Sequence, residues 1–292
     1  MSFRTYFDVD GADRSGLLDQ VVRQRARVGE RLRDVARIVA IVSGKGGVGK
    51  SYLAAALARA LAERGATIGV LDADLQSPTI ARMLGAKGPL HVSEDGVEPG
   101  IGYDGVRVIS TDLLLDDGRP LAWQKRGADD EAHIWRGAAE AGVLREFLAD
   151  VKWDALDVLL VDMPPDTGRL AHLATLVHDK LSAIAVTIPS DESARSVTRA
   201  LAATRDAGIP ILGVVENMSG YACATCDTIG PLFAGDAAAR LAAAFDVPVL
   251  ARLPFIPRGA TWATLPSSLL SAVHVMPSPP VIPTSAARRD QL

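Results

Sequence analysis

The stretch Gly44-Lys45-Gly46-Gly47-Val48-Gly49-Lys50-Ser51 constrains this chain more than any other, because it fits only one local architecture. It meets every fixed position of G-x-x-x-x-G-K-[ST] and carries an extra lysine, Lys45, at its second position. Glycines free the backbone to curl, so that consecutive N–H groups face one point, as phosphate oxygens require. Such a loop needs a buried parallel strand before it and a helix after it. Arg37 to Val42 reads as that strand, and Lys50 to Arg64 as the helix, with Leu53, Leu57 and Leu61 on one face and Gly65 as its stop. The helix N-terminus then lies under the phosphates. Lys50 is spaced to reach the terminal phosphates and the Ser51 hydroxyl to ligate Mg²⁺, so the ligand class is a nucleotide polyphosphate with Mg²⁺. Octapeptide and context agree against a glycine-rich turn that binds nothing.

Strands and helices alternate from residue 37 onward. Further strands are expected at Thr67–Leu71, Val106–Ser110, Val158–Val161, Ala183–Ile188, Ile211–Val215 and Val249–Leu253, with helices near 137–150, 191–207 and 235–245. Continuous apolar strands separated by helices predict an α/β fold, a doubly wound, mostly parallel sheet covered on both faces. At 292 residues and 48% hydrophobic content, one such domain with appendages is expected. The expected division is a helical extension over 1–36, a nucleotide-binding domain over 37–265 and a proline-rich tail over 266–292. Residues 15 to about 35 predict a helix with Leu17, Leu18, Val21, Val22, Val28, Leu32 and Val35 as its buried stripe. Arg23, Arg25, Arg27, Arg31 and Arg33 form its other side, read as a solvated face or a docking surface for an acidic partner. Residues 86–130 are rich in Gly, Asp and Pro and read as an irregular surface excursion. From Pro266 the chain reads as weakly structured, with no amphipathic helix to anchor it on a membrane.

A net charge of −4 argues against a nucleic-acid partner. The absence of a long apolar run argues against a membrane span. Two cysteines and a start without a signal-peptide core argue for the cytoplasm.

Around the loop, Asp72 and Asp74 follow the second expected strand. Carboxylates at that sheet edge suit holding a water on Mg²⁺ and orienting an attacking water, with turn or capping aspartates as the other reading. Asp162 closes the run Val158-Leu159-Leu160-Val161 and reads as the acid on the Mg²⁺ side. Pro164-Pro165-Asp166-Thr167-Gly168 then reads as a hinged loop that senses the terminal phosphate. Asn217, after another strand, offers an amide for an adenine edge or a plain turn residue. Cys223 and Cys226 form a C-x-x-C pair able to grip one metal or one edge of a cluster. A closed four-thiolate site, for zinc or iron–sulfur, needs two chains in a twofold dimer. A dithiol redox pair or two inert thiols are the competing uses. The five histidines show no ligand spacing and read as structural or exposed.

These residues together resemble the Mrp/ApbC family of iron–sulfur cluster carrier ATPases, within the ParA/MinD-like group, from about Arg31 to Pro257. The landmarks are Ser43 to Ser51, Asp72-Ala73-Asp74, Trp135-Arg136-Gly137, Asp162-Met163-Pro164-Pro165, and Gly213 to Ser219 leading into the cysteines. The resemblance implies that Lys45 reaches the nucleotide of the facing subunit and that Asp74 assists hydrolysis. It implies that Cys223 and Cys226 of a homodimer bridge a [4Fe–4S] cluster delivered to apo-proteins. This chain departs from the family pattern at Tyr52, near the expected α-phosphate, at Gln76-Ser77-Pro78 in the first switch, and at Asp166 and Arg169 in the second. Alternatives of the same build are a positioning ATPase and a maturation ATPase dedicated to one metalloenzyme.

Overall fold

The computed structural model describes residues 17–114, 142–165, 168–223, 226, 228–233, 235–255 and 264–274. Helix α1 covers Leu17–Arg31 and β1 Val35–Val42. The phosphate loop leads into α2, Lys50–Ala62, then β2, Ile68–Asp72, and the short α3, Ile80–Leu84. Four short strands follow: β3 Val92–Ser93, β4 Gly96–Val97, β5 Gly100–Ile101 and β6 Arg107–Ile109. Residues 142–150 form α4. Then come β7 Leu156–Asp162, α5 Gly168–Val177, β8 Leu181–Thr187, α6 Asp191–Asp206 and β9 Ile211–Ala222. Last are β10 Ile229–Gly230, α7 Ala237–Phe245, β11 Val249–Phe255 and α8 Ser267–Val273.

The main sheet runs β10-β9-β8-β1-β7-β2-β6-β5, with β11 on the outer side of β9. All its pairings are parallel except β5 with β6 and β10 with β9. This is the expected mostly parallel α/β sheet, and buried clusters on both of its faces explain the near-continuous apolar strands. Leu53, Leu57 and Leu61 of α2 are fully buried on one face; Trp153 is buried on the other and donates its indole N–H to the Phe147 carbonyl at 3.1 Å. Register places Ile41 of β1 and Asp72 of β2 on either side of Asp162 at the end of β7. Three strand ends therefore converge on one point.

The structure differs from the sequence-based expectation in four places. Helix α1 stops at Arg31 rather than near 35, and Val35 belongs to β1. Lys180 Nζ explains the stop: it donates to the carbonyls of Leu32, Arg33 and Val35, each at 2.8 Å, and turns the chain into the strand. Val22, expected in the buried stripe, is 62% exposed, whereas Val28 and Leu32 are buried. Strand β9 continues through Glu216, Asn217 and Met218 instead of ending at Val215, because β11 pairs along it as far as Tyr221. The expected tail begins with α8, whose Leu269, Leu270 and Val273 are buried over α2 and β11. Residues 1–16, the landmark 135–137, and the tail beyond 274 lie outside the described residues.

Candidate functional site

The loop is held from three sides. From inside, Lys50 Nζ donates to Ser43 Oγ at 3.0 Å, and Ser43 Oγ donates to the Lys45 carbonyl at 2.7 Å. From the side, Gly44 lies against the Ser196 backbone of α6, so closely that any Cβ would collide. From β9, Asn217 Nδ2 donates to the Val48 carbonyl at 2.9 Å. Gly49 must be glycine for two reasons: its φ is +91°, and a Cβ there would strike the Asn217 amide. Val48 and Lys50 are buried, Gly46 and Gly47 are exposed, and Ser51 and Tyr52 are half-buried. Lys45 Nζ stands 3.7 Å from Glu192 Oε2 on the first turn of α6.

Beside the loop, Asp162 accepts a hydrogen bond from Ser51, while its Oδ1 is buried without a hydrogen-bond partner among the described residues. A buried carboxylate oxygen left open next to a serine hydroxyl is the donor set that a hard cation takes. The site thus fits Mg²⁺ through Ser51 and Asp162. Burial pushes Lys50 below its ordinary value, against the pull of Asp162 and Asp74. Burial pushes Asp162 up to about 6, against Ser51 and Lys50.

Asp72 is gripped by the backbone around it. Its Oδ1 accepts from the Asp74 N–H at 3.2 Å, and its Oδ2 accepts from Thr79 N–H at 3.0 Å, Ile80 N–H at 3.2 Å and Ser110 Oγ at 3.2 Å. The free N–H groups at the start of α3 claim this carboxylate, so it fastens the Asp74–Thr79 segment beside Asp162. Burial and the Asp162 carboxylate push it up to about 7, against those donors. Asn217 donates one N–H of its amide to the Val48 carbonyl. Asp74 is half-buried, and its charge reaches both Lys50 and Asp162.

The two raised carboxyls carry a pH prediction. Their folded values lie above the ordinary 3.8, so the folded chain holds these protons more tightly than the unfolded one. The stabilisation is complete below about pH 4 and is lost as pH rises through 6 and 7. In Mg²⁺-free buffer, thermal stability should fall between pH 5 and 8, by a few kcal/mol. Mg²⁺ with ADP should flatten the slope. A melting temperature that is level or rising over this range without Mg²⁺ speaks against the placement of these carboxyls.

The cysteines sit on a hairpin that grows from the same strand as Asn217. Cys223 follows β9 and donates its N–H to the Thr228 carbonyl at 3.0 Å; Cys226 is exposed, with Sγ 3.3 Å from Thr228 Oγ1. They form no disulfide. Around them lie exposed apolar side chains: Tyr221, Ile229, Leu232, Phe233 and Phe255. Tyr221 stacks on Phe255 with ring centroids 6.5 Å apart, and Gly230 pairs with Tyr221 across the hairpin. No group of three or more His, Cys, Asp or Glu side chains is arranged to hold a metal among the described residues. The hairpin therefore presents two thiols, Cys223 partly covered and Cys226 exposed. Five residues separate Cys223 from Asn217, at most roughly 20 Å of chain.

Sequence reasoning did not find Ser43, Ser110, Glu192 and Ser196. Ser43 adjoins the octapeptide and was within reach; the others come from distant segments that only the sheet brings together. Residues 166 and 167 of the second-switch loop lie outside the described residues.

A family profile described as NUBPL iron-transfer P-loop NTPase, in the ParA group, matches residues 34–268. The chain is 35% identical over 240 residues to an iron-sulfur cluster carrier protein of Saccharolobus solfataricus, covering 82% of this chain and 77% of that one. To the human cytosolic Fe-S cluster assembly factor NUBP2 it is 37% identical over 234 residues, covering 77% and 82% respectively. A nucleotide-binding protein from Archaeoglobus fulgidus, solved in complex with ADP, matches with a TM-score of 0.64 at 30% identity, over 85% of this chain and 90% of that one. Both lengths are largely covered, and the matched span holds the phosphate loop and the cysteine pair together: this chain belongs to the NUBPL-type iron-transfer P-loop NTPases of the ParA group.

Proposed function

We propose that this protein is a cytoplasmic ATPase that carries a [4Fe–4S] cluster, held between two copies of the chain, to apo-proteins. The observation that carries the reading is the exposed Cys223–Cys226 hairpin growing from β9, the strand whose Asn217 braces the phosphate loop. The exposed Tyr221, Ile229 and Phe255 around the thiols support a twofold contact there, since apolar surface beside an incomplete ligand set favours burial. In this reading the loop amides, Lys50 and the helix dipole of α2 bind the phosphates. Mg²⁺, when bound at Ser51 and Asp162, neutralises phosphate charge. Asp74 orients the water that displaces ADP from the γ-phosphorus. Lys45 leaves Glu192 and contacts the nucleotide of the facing copy.

Anaerobic purification and reconstitution with iron and sulfide test the cargo. The expected product is brown, with near four irons per two chains. A colourless preparation holding one zinc per dimer and refusing iron replaces the carrier reading with a structural zinc clasp.

A further inference from the structure

Arg169 occupies the first turn of α5, immediately after the second-switch loop, and its Nη1 donates to the Ala73 carbonyl at 3.2 Å. The peptide unit that joins Ala73 to Asp74 is therefore held at both ends. Its carbonyl is taken by Arg169, and its N–H is taken by Asp72 Oδ1 at 3.2 Å. The preceding peptide is also tied down, because the Ala73 N–H donates to the Asp162 carbonyl at 3.0 Å. Fixing that plane fixes where the Asp74 side chain departs from the backbone. Asp74 is otherwise the most open of the three carboxylates, half-buried where Asp72 and Asp162 are buried.

We infer that Arg169 is a positioning residue that couples the first turn of α5 to Asp74. Its guanidinium spans from α5 to the Ala73 carbonyl, so a displacement of the first turn of α5 is carried to the peptide that aims Asp74. The effect runs through the backbone plane between Ala73 and Asp74. The inference rests on the reading of Asp74 as the water-orienting group. Lysine keeps a donor able to reach the Ala73 carbonyl, whereas alanine or an acid does not.

Steady-state hydrolysis by Arg169→Ala and Arg169→Lys, with binding of a fluorescent ATP analogue measured separately, forms the first arm. The alanine variant should lose about tenfold in kcat, the low end for one charged hydrogen bond, with nucleotide affinity within about twofold of wild type. The lysine variant should recover part of kcat. Hydrogen exchange forms the second arm and needs no turnover. A non-hydrolysable Mg-ATP analogue should change protection in both the 73–79 and 163–170 peptides of the wild type, but only in 163–170 of Arg169→Ala. Equal kcat in all three proteins, or equal coupling of the two peptides in Arg169→Ala, overturns the tether. A wild type without turnover that still loses coupling on Arg169→Ala overturns the ATPase reading and leaves the tether standing.

Discussion

Serine in place of either Cys223 or Cys226 is expected to abolish iron–sulfur loading outright. A hydroxyl does not supply the anionic sulfur that iron requires, and a bridging site assembled from two copies loses two of its four ligands at once. The fold should hardly notice. Cys226 is exposed and Cys223 only partly covered, so each change should cost no more than about 0.5 kcal/mol of stability. ATP affinity should stay within about twofold, since roughly 20 Å of strand separates the thiols from the loop. Iron and sulfide analysis after anaerobic reconstitution, with calorimetry of ATP binding on the same samples, reads both effects. Either variant holding iron at the wild-type ratio would remove the cysteine pair from the cargo site.

Lys50→Ala carries the second large effect. Lys50 is buried, spans to Ser43, and lies within the field of Asp162 and Asp74. Its loss removes the loop's charge aimed at the terminal phosphates and leaves two carboxylates facing them. Affinity for Mg-ATP should drop at least tenfold, roughly 1.4 kcal/mol or more. A circular dichroism melt separates this from unfolding. Unchanged affinity in a folded variant is incompatible with the loop as the phosphate cradle.

What could be read from the sequence was whatever is local. The octapeptide encodes its own curl, and the apolar run before Asp162 encodes a strand that delivers one acid to the sheet edge. The partners of Asp72 were not legible, because they arrive from the start of α3 and from Ser110, just after β6. Asn217 read as an adenine contact or a turn residue after the strand because polar side chains rarely continue a central strand. Here the polarity finds partners: Glu216 accepts from the Ala238 N–H at the start of α7 and pairs with Arg252, and Asn217 donates to the Val48 carbonyl. Helix α8 was hidden by the prolines on either side of it. Composition described the segment, while Leu269, Leu270 and Val273 decided it by filling the surface above α2.

Strand β9 is the longest in the sheet, twelve residues or roughly 40 Å. One part of it floors the nucleotide cradle through Asn217, and its far end is the stem of the sulfur hairpin. Between them Met218 takes a left-handed φ of 53°, and the pairing with β11 slips between Leu253 and Phe255. The strand is thus a beam with a joint in it, yoking two ports of the molecule. A shift of the strand at Asn217 and a shift of the cysteine stem must both pass through that joint.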